Sequence, residues 1–441
     1  MYKFDIDKQT LNDLNIFDSH GSNKSVFSLF NFTGTLKGNE ELMQLFQSPT
    51  TDITLINHRQ ELIKYLSDYK GNIAFDRTNI DFVEGYLCLN TKVKYFSPIR
   101  ALKSSLSYFF TPNQVYYLKQ KGIGSIVNLC RELIGVFASP GITRPELIIE
   151  FDDVILELSK YKMFGELMKQ PYRKLTIFEL ERFDIIFRGK AFSTIKKLLS
   201  ITYKIDAFYS VVLAARKHNL KMPVITAHRD FTIEGIFHPF LEAPVANDLS
   251  FGEGRNVCFL TGSNMAGKST FLKSIGVAIY LAHLGLPVPV KSMKTGIWQG
   301  LVSTINLPDN LNAGYSHFYN EVLRVKQVAQ VIKNKKNIFV IFDELFRGTN
   351  VKDAFDGSLS ITKSFSKIAD CCFVISTHII EVAENLEQNE NIIFKYLSTK
   401  MTNNRPVFTY KLMDGITAER IGMWIIENEK ITEILESREI F

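Results

Sequence analysis

Few cysteines, no long apolar run and no strong charge of either sign set the first limits on this 441-residue chain. The five cysteines (Cys88, Cys130, Cys258, Cys371 and Cys372) are odd in number and show no C-x-x-C spacing. That pattern argues against a disulfide framework and for buried thiols in a reducing compartment. No apolar run reaches the roughly 18–20 residues that cross a bilayer. The nearest stretch, Ile275 to Val290, contains His283, Gly285, Pro287 and Pro289 and reads as a helix followed by a strand. The opening Met1-Tyr2-Lys3-Phe4-Asp5-Ile6-Asp7 lacks the apolar core of a signal peptide. The expectation is a cytoplasmic protein with no membrane partner. A net charge of +6 permits contact with nucleic acid but is too mild to argue for it alone. Internal repeats and low-complexity tracts are missing as well.

What is present is ordinary globular composition, with 46% hydrophobic and 22% charged residues. The length exceeds the usual span of one core, so two or three domains are expected.

The most informative stretch is Thr261-Gly262-Ser263-Asn264-Met265-Ala266-Gly267-Lys268-Ser269-Thr270. From Gly262 to Ser269 it fits the phosphate-binding pattern G-x-x-x-x-G-K-S/T. Val257 to Leu260 before it reads as a buried strand, and Phe271 onward as an amphipathic helix. Glycines let the backbone curl until successive N–H groups point inward, and the helix N-terminus adds partial positive charge. In such a loop Lys268 reaches the β- and γ-phosphates of a nucleoside triphosphate, and the Ser269 hydroxyl holds Mg²⁺.

Downstream, Gly296 to Asn306 is β-like, a helix runs through Ile332, and Lys333 to Asn337 is a polar turn. Ile338-Phe339-Val340-Ile341-Phe342-Asp343-Glu344 then ends a buried apolar run in two acids. Such a strand delivers carboxylates to the carboxyl edge of a parallel sheet, beside the phosphates. Asp343 is the candidate metal ligand, and Glu344 the candidate group that polarises the attacking water. A further buried strand, Cys371 to Thr377, ends at His378, a candidate sensor of the γ-phosphate.

The first half carries no catalytic constellation. Tyr2 to Ile6 alternates like a strand, Glu40 to Phe46 reads as a short helix, and Asp52 to Tyr69 as a longer one with Asp52 as N-cap. From Gly71 to Leu220 the pattern is mainly helical, with the boundary to strands and loops near Ile225. Basic residues gather at Lys92, Lys94, Arg100 and Lys103, and at Arg182, Arg188, Lys190, Lys196, Lys197 and Lys204, among aromatics including Phe183 and Phe187. The leading reading is the solvated face of amphipathic helices, with the aromatics turned to the core. A phosphate-backbone contact is the alternative.

These motifs resemble the ATPase domain of MutS-type DNA mismatch repair proteins, in the ABC ATPase class. The family loop reads T-G-P-N-M-G-G-K-S-T, and Asn264-Met265 is its characteristic pair. Ser316-His317-Phe318 with Glu321 resembles S-T-F-x-x-E. Asp343-Glu344-Leu345-Phe346-Arg347-Gly348-Thr349 resembles D-E-x-G-R-G-T, and Ser376-Thr377-His378 resembles A-T-H. His238-Pro239 and Ala246-Asn247-Asp248 match the approach to the loop, and Phe408 to Leu412 with Gly415 the closing strands. Asp7, Thr10-Leu11, Asp13-Leu14, Thr33-Gly34-Thr35, Gly38 and Arg59 resemble the opening of the family's core, or lever, domain.

The departures are as specific. Ala266 stands for the second loop glycine, Phe346 for a glycine, and Pro244 for the aromatic expected to stack on adenine. The resemblance is to a short member, with no room before the lever for the mismatch-binding and connector domains and with a reduced clamp. It implies an α/β P-loop ABC-type ATPase domain over 226–441, ending in a short helical tail and preceded by a mainly α-helical core or lever domain over 1–225.

By the same resemblance, ATP and Mg²⁺ are held by Gly262, Ser263, Asn264, Met265, Ala266, Gly267, Lys268, Ser269 and Thr270, with Asp343 on the metal. Ser316 approaches the γ-phosphate bound by a second copy, so the implied partners are a homodimer through the ATPase domains, double-stranded or branched DNA, and repair-complex proteins. Glu344, His378 and Lys268 are the implied catalytic residues. The expected function is ATP-dependent DNA binding with lever movement. The alternative is an ATP-switched scaffold or ATPase subunit acting on a protein partner.

Overall fold

The computed structural model describes residues 3–18, 24–90, 114–138, 144–170, 173–228, 230–263, 265–306, 317–402, 405–417, 424 and 428–436. The expectations placed on Lys92, Lys94, Arg100, Lys103, Asn264 and Ser316 lie outside the described residues. The chain divides into two compact units: Met1–Leu29 with Ser48–Ile56 and Ala215–Phe441, and Phe30–Gln47 with Asn57–Ala214.

The first unit is α/β. Its main sheet has the order β1-β7-β8-β9-β5-β10-β11, formed by Asp5–Ile6 (β1), Gly300–Thr304 (β7), Ile338–Asp343 (β8), Cys372–Ser376 (β9), Val257–Thr261 (β5), Ile392–Thr402 (β10) and Arg405–Asp414 (β11). All neighbours are parallel except β10 and β11. Strands β5, β7 and β8 are buried along their whole length. That explains why β5 and β8 read as unbroken apolar runs rather than alternating ones. Aromatic stacking fixes one face: Phe365 on the helix Val351–Ser366 lies parallel to Phe342 and Phe373, with centroids 5.9 and 4.5 Å away.

A second sheet, β2-β6-β3-β4, comprises Val224–Thr226 (β2), Ser292–Gly296 (β6), Phe231–Ile236 (β3) and Asn247–Ser250 (β4). The β-like stretch expected over Gly296 to Asn306 is therefore the end of β6 and all of β7, in different sheets. Trp298 sits between them, 1% exposed, with its ring on Phe339 and its indole N–H donating to Thr295 Oγ1 at 3.0 Å. The strand expected before Val290 is reduced to one bridge, Lys221↔Val288. The helix ahead of it stops at Leu284 because Gly285 takes a left-handed φ of 74°.

The N-terminus belongs to this α/β unit, not to the helical one as expected. Asp7 caps the helix Lys8–Asp13, accepting from the Thr10 N–H at 2.8 Å and its hydroxyl at 2.6 Å. Asp13 accepts from the Ser303 hydroxyl (2.6 Å) and the Ile305 N–H (2.9 Å), so it closes the end of β7. Arg324 reaches Asp7 (2.5 Å), the Ser303 carbonyl (2.6 Å) and Thr304 Oγ1 (3.1 Å). Burial pushes the Asp7 carboxyl up, but the Arg324 and Thr10 bonds outweigh it and hold it below its ordinary value.

The second unit is helical. Asp206 accepts from the Gly34 N–H (3.0 Å), the Thr35 N–H (2.9 Å) and the Thr35 hydroxyl (2.7 Å). A Cβ on Gly38 would stand 2.2 Å from Asp206 Oδ2. This close approach accounts for the Thr33-Gly34-Thr35 and Gly38 pattern. Arg188 is not on a basic face. It lies on the π-helical turn Ile186–Lys190, buried, with Nε 2.6 Å from Asp184 Oδ1, while Lys119 holds Asp184 Oδ2 at 2.8 Å. Phe183 and Phe187 are core residues, whereas Arg182, Lys190, Lys196 and Lys197 are exposed. The helix Phe192–His218 is long and apolar enough to cross a membrane by composition, but 72% of that window is buried inside the protein.

Candidate nucleotide site

The loop between β5 and the helix Lys268–Leu284 bends as its glycines require. Gly262 has φ 148° and Gly267, the residue before the helix, φ 98°; Met265 joins them at φ 72° and is 73% exposed. Ala266, in place of a glycine, is buried and donates its N–H to the Ser263 carbonyl at 3.3 Å. Its methyl group is therefore tolerated on the packed side of the loop.

Lys268 curls back into its own loop, donating to the Gly262 carbonyl at 2.7 Å and the Ser263 carbonyl at 3.2 Å. Burial lowers its pKa, partly offset by the carboxylates of Glu344 and Asp343. The Ser269 hydroxyl donates to Asp343 Oδ2. Ser376, at the end of β9, donates to Asp343 Oδ1 at 2.5 Å. A hydroxyl and a carboxylate on adjacent elements suit Mg²⁺, which keeps several waters and completes its shell with substrate phosphate oxygens. Among the described residues no cluster of three or more His, Cys, Asp or Glu side chains forms a self-sufficient metal cage.

Glu344 follows β8 in a left-handed conformation, φ 62°, with its N–H donated to the Ser376 carbonyl at 3.1 Å. Its carboxylate Oε2 lies 3.6 Å from His378 Nδ1 and 3.6 Å from Arg347 Nε. The His378 imidazole holds the Glu344 carboxyl below its ordinary value; burial opposes this, and Arg347 and Lys268 reinforce it. Glu344 is thus a carboxylate at neutral pH, the form that can accept a proton. His378 is half exposed and touches the site through Glu344.

Lys268, Ser269 and Glu344 face a cleft of about 630 Å³. Ser263, Met265, Ala266, Gly267, Lys268, Ser269, Thr270 and Glu344 line one part. The remainder is an apolar wall that sequence reasoning did not assemble: Leu241, Pro244, Val245, Leu397 and Tyr410, with His238. Burial, with Lys273 nearby, pushes His238 down to about 4, so it is neutral. Tyr410 brings an aromatic ring to this wall. The pairing of β10 and β11 slips between Leu397↔Leu412 and Thr399↔Phe408, and Tyr410 sits in that bulge with φ 56°. A bulge re-aims a side chain; here a Cβ on Gly267 would lie 3.2 Å from the Tyr410 ring. Asn247 ties the wall together, donating to the Tyr410 carbonyl at 2.9 Å and accepting from the Leu412 N–H at 2.8 Å.

Part of the chain is similar to known proteins. Residues 258–439 match the family model of MutS domain V. The chain is 27% identical over 259 residues to the DNA mismatch repair protein MutS of Petrotoga mobilis, covering 57% of this chain and 32% of that protein. It is 26% identical over 380 residues to the DNA mismatch repair protein MutS of Finegoldia magna, covering 84% of this chain and 40% of that protein. The corresponding protein of Shouchella clausii is 24% identical over 298 residues, or 66% and 32%. The aligned part thus spans 32–40% of these relatives' length. The matched segment begins in β5 and runs through the loop Gly262–Ser269, Asp343, Glu344, His378 and Tyr410, and over it the chain is similar to MutS domain V.

Proposed function

We propose that the chain binds ATP with Mg²⁺ in this cleft and hydrolyses it. The observation that carries the reading is the convergence of Lys268, the Ser269–Asp343 pair and the ionised Glu344 on one cleft with an apolar wall. The triphosphate lies along the loop N–H groups and the helix N-terminus. Lys268 exchanges the Gly262 and Ser263 carbonyls for phosphate oxygens, and the adenine ring rests against Tyr410, Val245 and Leu241. Ser269 and Asp343 would hold Mg²⁺, whose charge would neutralise the phosphates. Glu344 orients a water in line with the γ-phosphorus and accepts its proton as the bond to the ADP oxygen breaks, giving ADP and phosphate. His378 holds the Glu344 carboxyl below its ordinary value and is the candidate sensor of the γ-phosphate.

In the same reading two copies face each other through these domains, Ser316 of one approaching the γ-phosphate held by the other. Hydrolysis then moves the helical units, and DNA is the load. Exposed Lys190, Lys196 and Lys197 supply phosphate-backbone contacts. The dimer is tested by sedimentation of the Glu344→Gln variant with and without MgATP. A nucleotide-dependent rise to twice the monomer mass supports it; an unchanged monomer at saturating ATP removes the two-copy site. DNA as the load is tested by binding duplex, branched and mismatched DNA with and without ATP at several salt concentrations, and the lack of any binding or stimulation of turnover removes it.

A further inference from the structure

The loop carrying Glu344 is unusual in its backbone. Glu344 and Phe346 have φ values of 62° and 61°, a region that is a genuine outlier for a bulky side chain. Two left-handed residues in three positions are strained and persist only where the surroundings over-determine them. The surroundings do. Phe346 is 7% exposed, and its ring meets Phe318, in the first turn of the helix His317–Asn334, edge-on at 5.7 Å. Gly357 also lies flush with the ring, and a Cβ there would stand 2.9 Å from Phe346 Cδ2. Two bonds fasten the flanks: the Leu345 carbonyl accepts from Ser358 Oγ (3.1 Å), and the Gly348 N–H donates to Glu321 Oε2 (3.2 Å).

We infer that Phe346 is a positioning residue, a clasp that locks the Glu344 loop to the helix His317–Asn334 and keeps the Glu344 carboxylate aimed into the cleft. The position where the resembling motif has a freely turning glycine here carries a ring, so backbone permissiveness is exchanged for a packed anchor. The inference rests on Glu344 acting as the base proposed above. Removing the ring leaves the phosphate loop untouched, since Lys268, Ser269 and Asp343 make no contact with it through the bonds described. It frees Glu344 to relax from φ 62°.

The test is steady-state hydrolysis by the full chain, with Kd for a fluorescent ATP analogue and the melting temperature measured alongside. Phe346→Gly suits the left-handed backbone better than phenylalanine does and removes the ring. A displacement of about 1 Å at a reacting group costs up to about a hundredfold, so kcat should fall at least tenfold with Kd and KM within about twofold of wild type. Gly357→Ala drives a Cβ to 2.9 Å from Phe346 Cδ2 and must displace the ring; it should lower kcat with Kd within about twofold of wild type. Phe346→Leu should restore most of the rate. Wild-type kcat in Phe346→Gly overturns the inference, as does a parallel loss of nucleotide binding, which marks a merely structural role. If the wild-type chain hydrolyses no ATP, it is the functional reading that fails, and this is seen before any variant is compared.

Discussion

Replacing Tyr410 by alanine separates the two halves of the proposed site. The ring is 47% exposed, and one edge already rests on Gly267, so a single face is open to a base. Base–aromatic stacking is worth about 1–3 kcal/mol by alanine substitution. With half the ring solvated, the lower part of that range, about 1–2 kcal/mol, is the appropriate figure. At tenfold per 1.4 kcal/mol this weakens ATP binding about five- to thirtyfold. The phosphate contacts do not involve Tyr410, so inorganic tripolyphosphate with Mg²⁺ should bind the variant and the wild type equally. Titration calorimetry with both ligands reads the difference. Tyr410→Phe should bind ATP as the wild type does, because stacking needs the ring and not the hydroxyl. Equal losses for ATP and tripolyphosphate, or a change under about twofold for ATP, would refute Tyr410 as the base platform.

Three other perturbations follow from the same geometry. His378 is the largest influence lowering the Glu344 carboxyl. Because the ionised form is the active one, the acid limb of kcat should lie below the ordinary glutamate value of 4.5 and move up in pH in His378→Ala; an unmoved limb disproves the coupling. Asp206→Ala strips the partners from three donors around Gly34 and Thr35 and should cost about 3 kcal/mol or more in urea unfolding, while a loss under about 1 kcal/mol would mean water replaces the carboxylate. Charge reversal at Lys196 and Lys197, both exposed, should weaken DNA binding and flatten its salt dependence; unchanged affinity takes that face out of the DNA path.

How much of this was legible in the sequence depends on how local each contact is. Lys268, Ser269, Asp343 and Glu344 could be read because each sits at a strand's carboxyl end inside a motif whose chemistry demands it. Their convergence follows from β5 and β8 being neighbours of β9 in one parallel sheet. Tyr410 and Asn247 could not be assembled. Their meeting depends on a bulge in β11 and on side-chain bonds across distant segments, and neither leaves a composition signal. The single cut near Ile225 failed for Asp7 and Asp13 because both are spent on β7 and Arg324, a pairing across almost the whole α/β unit's length of chain. Arg188 read as part of a basic face because a π turn rotates it inward onto Asp184, which helical spacing alone does not register.

The central claim, that this cleft hydrolyses ATP with Glu344 as base, is most directly tested by phosphate release from the purified chain at saturating MgATP, compared with Glu344→Gln under the same conditions. The account predicts turnover in the wild type, its loss in the variant and unchanged ATP affinity in both. Turnover that persists in Glu344→Gln, or a wild-type chain that binds no nucleotide, would contradict it.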